Sequence, residues 1–291
     1  MPHAARLATD ARQAGLPPQR YLRGVADLRA ALTHALGPMY RVEREVRPVG
    51  DCRLFVAREV PTGPELLVKL LPAGLSLAVD AGLFDQELQL VADRLRHPQI
   101  VAPRGAGRAG AVVYHTRAFV AGTTLRAWLM RHGELPLRRM VEILRDVLAA
   151  LAHAHAASVA HGDLKPENVL LTDEGALVAD TGMVDGVGRS LPGGAAAAGA
   201  ALCAPPYMAP ERRDGGTPGP RDDLFAVGVL AHEMLTGQPP APEGEPLEEV
   251  RSVPPGVAEL VHRCLAPDPA ARWADAAAAL ASVKLPGGGV G

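Results

Sequence analysis

A carboxylate, an ammonium and a neutral amide stand close together in the run His161-Gly162-Asp163-Leu164-Lys165-Pro166-Glu167-Asn168, with Lys165 two and Asn168 five residues after Asp163. A carboxylate can accept a proton from a hydroxyl, and a compact ammonium can offset charge on a transferring phosphoryl group. A neutral amide oxygen is a hard ligand suited to Mg²⁺. Composition sharpens this reading. Asn168 is the only asparagine in the chain, and Lys69, Lys165 and Lys284 are the only lysines among 30 Lys plus Arg. A chain that uses Arg nearly everywhere keeps a point-like cation at positions where a planar fork would serve poorly.

The surrounding segments must place these groups. Val169-Leu170-Leu171 reads as a short strand, and Leu171 to Val178 as a hairpin around Thr172-Asp173-Glu174-Gly175. Leu137 to Ala160 carries Val141, Leu144, Leu148 and Leu151 on one face and reads as a long helix. His153 and His155 within it read as packing or surface residues rather than ligands. Nearer the N-terminus, Tyr40 to Val46, Arg53 to Glu59 and Glu65 to Leu71 read as three strands with turns between them. Lys69 shares a strand face with Leu67 and Leu71, so its ammonium either snorkels or meets a buried anion. In Phe84 to Leu95, Phe84, Leu88, Val91 and Leu95 recur with helical period, and Glu87 falls within that stripe. A carboxylate there is costly unless paired, with Lys69 its best partner, or else it lies solvated at the stripe's margin. Residues 1 to 39 form an N-terminal extension. Within it Leu22, Val25, Leu28, Leu32 and Leu36 keep helical spacing up to Gly37-Pro38, which gives a helix packed on the domain or a docking helix, residues 21 to 36, for a partner.

The 291 residues are 48% hydrophobic with a formal charge of -2, enough for one sizeable core and without the basic excess expected of a partner for nucleic acid or anionic membrane. Cys52, Cys203 and Cys264 are too scattered for a disulfide framework or a zinc site. No apolar leader or run of about 20 apolar residues is present, so the expected location is a reducing cytoplasm and no membrane span is expected. Abundant Ala, Arg, Gly and Pro fits a GC-rich bacterial genome.

The run from His161 to Leu171 resembles the catalytic loop of the eukaryotic-type (Hanks-type) Ser/Thr protein kinases. Further matches follow in family order. Asp180-Thr181-Gly182 takes the place of Asp-Phe-Gly, Tyr207-Met208-Ala209-Pro210-Glu211 matches the Ala-Pro-Glu block, and Asp222 to Gly228 resembles the helix whose aspartate, Asp223, ties down the catalytic loop. Leu265 to Trp273 supplies Arg272, the family's partner for Glu211. The resemblance spans Tyr40 to about Leu285. It implies an α+β, bilobal protein-kinase-like fold, with a small β-rich N-lobe over about 40–120, a larger helical C-lobe over about 121–285, and a tail at 286–291.

The resemblance also implies roles. Lys69, fixed by Glu87, would hold the ATP phosphates, Asn168 and Asp180 would hold Mg²⁺, Asp163 would accept the hydroxyl proton, and Lys165 would stabilise the transferring group. Ala118, Phe119 and Val120 would back the adenine, with Arg117 at a usually apolar gatekeeper position where it crowds the pocket unless an acid pairs with it. The glycines of the phosphate-covering loop are replaced at Arg47, Val49 and Cys52, Thr181 replaces Phe, and Ala204 replaces a Thr that bridges the catalytic Asp and Lys. Gly162 stands where the family has the Arg that reads an activation-loop phosphate. Thr181, Ser190 and Tyr207 are the only hydroxyls between Asp180 and Glu211, which points away from loop phosphorylation as a switch. The expected activity is ATP-dependent phosphorylation of Ser or Thr in a protein substrate. The alternatives are a non-catalytic pseudokinase scaffold, favoured by the lost glycines, Arg117, Thr181 and Ala204, and a small-molecule phosphotransferase, disfavoured by Lys165-Pro166 and Arg272.

Overall fold

Strands with alternating apolar and charged residues build the first part of the chain in the computed structural model, which describes residues 28–46, 53–241 and 247–283. The expected phosphate-loop position Val49, with Arg47 and Cys52, lies outside the described residues, as do residues 21–27 of the expected docking helix and the tail at 286–291. Tyr40–Val46 (β1), Leu54–Glu59 (β2), Glu65–Leu70 (β3), Pro103–Ala109 (β5) and Val112–Ala118 (β6) form an antiparallel sheet in the order β1-β2-β3-β6-β5, with Ile100–Val101 (β4) outside it. Cross-strand charges lace its edge: Arg58 bridges Glu43 at 2.9 Å and Glu65 at 2.5 Å. A helix over 28–36 (α1) lays Leu28 and Leu32 against Val42, Phe55, Val68 and Tyr114. The apolar stripe that could have docked a partner is thus, in its described part, covered by the chain's own sheet.

Two helices follow β3, Ala73–Ala78 (α2) and Ala81–Arg94 (α3). Asp80 starts α3 by accepting hydrogen bonds at Oδ1 from the N–H groups of Gly82 (2.9 Å) and Leu83 (3.0 Å). Among the described residues, those before Leu90 with Pro103–Phe119 and Arg189–Pro192 form one packed unit, and Leu90–Ala102, Val120–Gly188 and those from Gly193 onward form another.

The second unit is mainly helical. Thr123–Thr124 (β7) leads into Leu125–His132 (α4), capped by Thr124 Oγ1, which accepts from Ala127 N at 3.1 Å. Leu137–Ala156 (α5) buries Met140, Val141, Leu144, Val147, Leu148 and Leu151 in the main core. It ends at Ala156, short of the Ala160 that its apolar spacing predicts. Ser158 adopts φ +56°, and the N–H groups of Ser158 and Val159 return to the carbonyls of His155 and Ala154, a Schellman closure that the side-chain pattern does not encode. The expected hairpin is Val169–Thr172 (β8) with Gly175–Ala179 (β9), joined by β7 and β4 in a sheet of order β4-β9-β8-β7.

The Gly- and Ala-rich stretch after Asp180 contains two helices, Met183–Arg189 (α6) and Gly194–Leu202 (α7). Pro210–Arg213 (α8) is one turn long, and Pro220–Thr236 (α9) is buried along most of its length. Gly228 lets α9 approach closely, since a Cβ there would lie 2.8 Å from Cys264 Cβ. Leu247–Val250 (α10), Pro255–Leu265 (α11) and Ala276–Ser282 (α12) complete the described elements. Among the described residues no helix is long and apolar enough to cross a membrane.

Candidate active site

The loop at 161–168 is suspended from one buried side chain on α9. Asp223, 1% exposed, accepts the N–H of His161 at Oδ2 and the N–H of Gly162 at Oδ1, both at 2.8 Å, and meets His155 Nε2 at 2.8 Å. Burial works against its charge. The bond and charge of His155, with His161 and the Gly162 amide, nevertheless hold its pKa below the usual carboxylate range. His155 therefore serves as a partner for Asp223, a role that its position on α5 did not reveal.

His161 is fully buried and shapes the next turn. Its Nδ1 accepts the N–H of Asp163 at 3.2 Å, which leaves Nε2 to donate to the carbonyl of Ala179 at 3.0 Å. That pair of bonds ties the loop to the end of β9, one residue before Asp180. Gly162 sits at φ +75°, and a Cβ there would approach Val184 Cβ to 3.0 Å. A side chain such as the Arg that the family places here would be strained by backbone shape and would push on Val184.

The three groups singled out by spacing come together. Asp163 Oδ2 lies 2.6 Å from Lys165 Nζ. Asn168 Nδ2 donates to the Asp163 carbonyl at 2.8 Å and to Oδ2 at 3.3 Å. With its nitrogen committed to Asp163, the amide of Asn168 has its oxygen left as a ligand. Asp180, 5% exposed, occupies φ +64°, an uncommon conformation for a residue with a side chain, and Gly182 follows at φ +79°. Asn168 and Asp180 together offer an oxygen-only donor set, which fits Mg²⁺ with its remaining positions supplied by water and phosphate.

The threonine missing at Ala204 is replaced by its neighbours. Lys165 Nζ donates to the carbonyl of Leu202 at 3.1 Å, and Cys203 Sγ donates to the carbonyl of Gly162 at 2.8 Å. Burial, with the charge of Asp163 beside it, pushes the Cys203 thiol up to about 12, so this sulfur is a hydrogen-bond donor and not a nucleophile. Beyond it, Arg272 is fully buried and grips Glu211 in a fork, Nη1 to Oε1 at 2.6 Å and Nη2 to Oε2 at 2.8 Å. It also donates to the carbonyls of Ala266, Arg221 and Pro267.

In the first unit, Lys69 lies on β3 opposite His115 of β6 and Leu54 of β2. Glu87 on α3 is paired with Arg189 at 3.5 Å, and Ser190, itself buried, accepts the N–H of Asp80 at its carbonyl at 2.8 Å. Arg117 is buried and donates to the carbonyl of Ala118 at 3.3 Å. The N–H of Phe119 donates to the carbonyl of Glu65 at 3.0 Å, and its ring carries the Arg44 guanidinium at 5.3 Å. Val120 follows as the first residue of that segment of the second unit.

Arg126 on α4 reaches Glu167 at 3.0 Å, Glu233 at 2.5 Å and the Tyr207 hydroxyl at 2.7 Å. An arginine in an otherwise ordinary helical stretch carries no signal of its own. Only the two glutamates, 41 and 107 residues away, could have indicated it.

Comparison with known proteins agrees with this geometry. The protein kinase domain model matches residues 57–283. The chain is 35% identical over 211 residues to the serine/threonine-protein kinase PknL of Mycobacterium tuberculosis, covering 67% of this chain and 52% of PknL. It is 33% identical over 261 residues to PknD of the same organism, covering 82% of this chain and 38% of PknD. The chain therefore spans about half the length of PknL, and less of PknD. The crystal structure of the Mycobacterium tuberculosis PknI kinase domain matches with a TM-score of 0.67 at 23% identity, covering 84% of this chain and 95% of that one, a likeness of fold. With the family model spanning 57–283 and relatives 33 to 35% identical over two thirds or more of its length, the chain belongs to the protein kinase domain family, beside the bacterial eukaryotic-type Ser/Thr kinases.

Proposed function

We propose that this chain transfers the γ-phosphoryl group of ATP to Ser or Thr hydroxyls of a protein substrate. The observation that carries the reading is the Asp163, Lys165 and Asn168 cluster, held by bonds that leave each group's reactive atom in a defined place. Asp163 accepts the proton of the attacking hydroxyl, and Lys165, already beside it, offsets charge on the transferring group. Lys69 holds the α- and β-phosphates, with Glu87 on α3 orienting it. Ala118, Phe119 and Val120 back the adenine. Asn168 and Asp180 would hold Mg²⁺, which when bound would supply charge neutralisation at the phosphate oxygens. The Leu202 and Cys203 bonds support this reading over a scaffold, because they keep the loop anchored where the usual threonine is absent.

The test is Asp163→Asn, which keeps the shape and removes the proton acceptor. Transfer of labelled phosphate to a generic basic protein should fall by about a hundredfold or more, while ATP·Mg²⁺ affinity by calorimetry stays nearly unchanged. Wild-type protein that binds ATP yet transfers no more label than Asp163→Asn would make a scaffold the better reading.

A further inference from the structure

We propose that Arg126 is a positioning residue for phosphoryl transfer, holding the Pro166–Asn168 turn against the Pro205–Tyr207 turn through simultaneous bonds to Glu167, Tyr207 and Glu233. The inference rests on the phosphotransfer reading above.

The charges of this cluster are placed against their own helices. Arg126 lies in the first turn of α4, where free N–H groups disfavour a cation, and Glu233 lies in the last turn of α9, where free carbonyls disfavour an anion. The Glu233 side chain is only 2% exposed, so water offers it little compensation. Each charge is thus poorly placed alone and stabilised by the other, at 2.5 Å between Nη1 and Oε1. Every nitrogen of the guanidinium is used: Nε donates to Glu167 Oε1 at 3.0 Å and Nη2 to the Tyr207 hydroxyl at 2.7 Å, while that hydroxyl donates to the second oxygen of Glu233. Burial opposes the Arg126 charge, but Glu233, Tyr207 and Glu167 together make its proton harder to remove.

The geometry points beyond static support because of what the two held turns contain. Glu167 adjoins Asn168, whose amide bonds Asp163, and its other oxygen is buried without a partner among the described residues. Arg126 is therefore the described side chain that fixes Glu167. Tyr207 stands two residues before Ala209-Pro210-Glu211, at the end of the segment that begins after Asp180. A single fork spans both turns. A lysine could satisfy one of the three acceptors, but not all of them in one plane.

The test uses the full chain with Arg126→Lys and Arg126→Gln, and Arg126→Ala with and without millimolar methylguanidinium. For Arg126→Lys we expect kcat to fall about tenfold or more while ATP·Mg²⁺ affinity stays within about twofold, in keeping with the effect of small misplacements of catalytic groups. Methylguanidinium should restore part of kcat to Arg126→Ala and leave the wild type unaffected. Amide exchange should rise in 163–168 and 205–208 of the Gln variant while 137–156 stays protected. Wild-type kcat in Lys and Gln variants that differ only in melting temperature would overturn the proposal, as would unchanged or uniformly raised exchange. Loss of transfer in the wild type itself would instead remove the phosphotransfer reading, and the exchange pattern would still decide whether Arg126 holds the two turns.

Discussion

Asp222 and Asp223 are neighbours in the first turn of α9, and their surroundings drive their acidities apart. Asp223, despite its burial, is held low by His155 and the loop amides, whereas burial and the adjoining Glu211 carboxyl push Asp222 up to about 7, against the opposing pull of Arg212 at 3.8 Å. Folding therefore favours protonated Asp222. Its contribution to stability is complete below about pH 4 and is lost as pH rises through about 7. Glu211 has the opposite sense: burial raises it, but Arg272 and Asp222 outweigh that and hold it low, so its contribution is lost only in strong acid. Asp222→Asn keeps an oxygen able to accept from Gly219 N, which Asp222 meets at 2.7 Å, and removes the titration. Melting temperatures at about pH 5 and about pH 8 should show the variant gaining on the wild type at the higher pH. A difference that does not change with pH would count against this assignment. At this scale the residues legible in the sequence were those whose chemistry is rare in this chain or fixed in spacing: Asp163, Lys165, Asn168, and the pair Glu211 and Arg272. Arg126 and Glu167 were not, because a common residue type becomes informative only when its distant partners are known.

Among elements, α6 carries the clearest functional consequence. Its last residue, Arg189, reaches at 3.5 Å the Glu87 carboxylate that the family resemblance pairs with Lys69. The Arg189 side chain is 69% exposed, and exposed pairs contribute at most about 1 kcal/mol, so any competition is mild. Arg189→Ala should raise the transfer rate by up to about fivefold, the factor that such a pair can hold back. Initial rates at saturating ATP measure it, and an unchanged or lower rate would show that Glu87 is not held back by this contact. Strands and the long α5 were legible because their apolar period is strong. Helices α6 and α7 were not: α6 holds two glycines of poor helix propensity, and α7, although Ala-rich, has no polar residue to mark one face against another. The end of α5 was misplaced for a related reason: Val159 continues the apolar pattern, while the reversal at Ser158 is made by backbone hydrogen bonds.

For the molecule as a whole, the order of motifs along the chain was enough to read the fold, because each matched segment has a fixed place in it. Nucleotide affinity is less constrained. Glycine is absent at 47, 49 and 52, so on the proposed function binding rests on Lys69 and on a metal held by Asn168 and Asp180. ATP with Mg²⁺ at about a hundred times its Kd should therefore raise the melting temperature by about 5 to 10 °C. ATP with a chelator should do little. Equal shifts with and without Mg²⁺ would mean that the metal ligands contribute nothing to binding.

The bond from Lys165 to the Leu202 carbonyl has a consequence for how this loop can change over generations. The anchor is a peptide oxygen, supplied whatever side chain stands at 202. Substitution scanning through 200–204 would pass over it, and drift at these positions would leave it in place. A family threonine bridge can be lost by one codon change, whereas this one disappears only if the chain itself is rerouted, or if the 202–203 amide is replaced by an ester that weakens the oxygen as an acceptor.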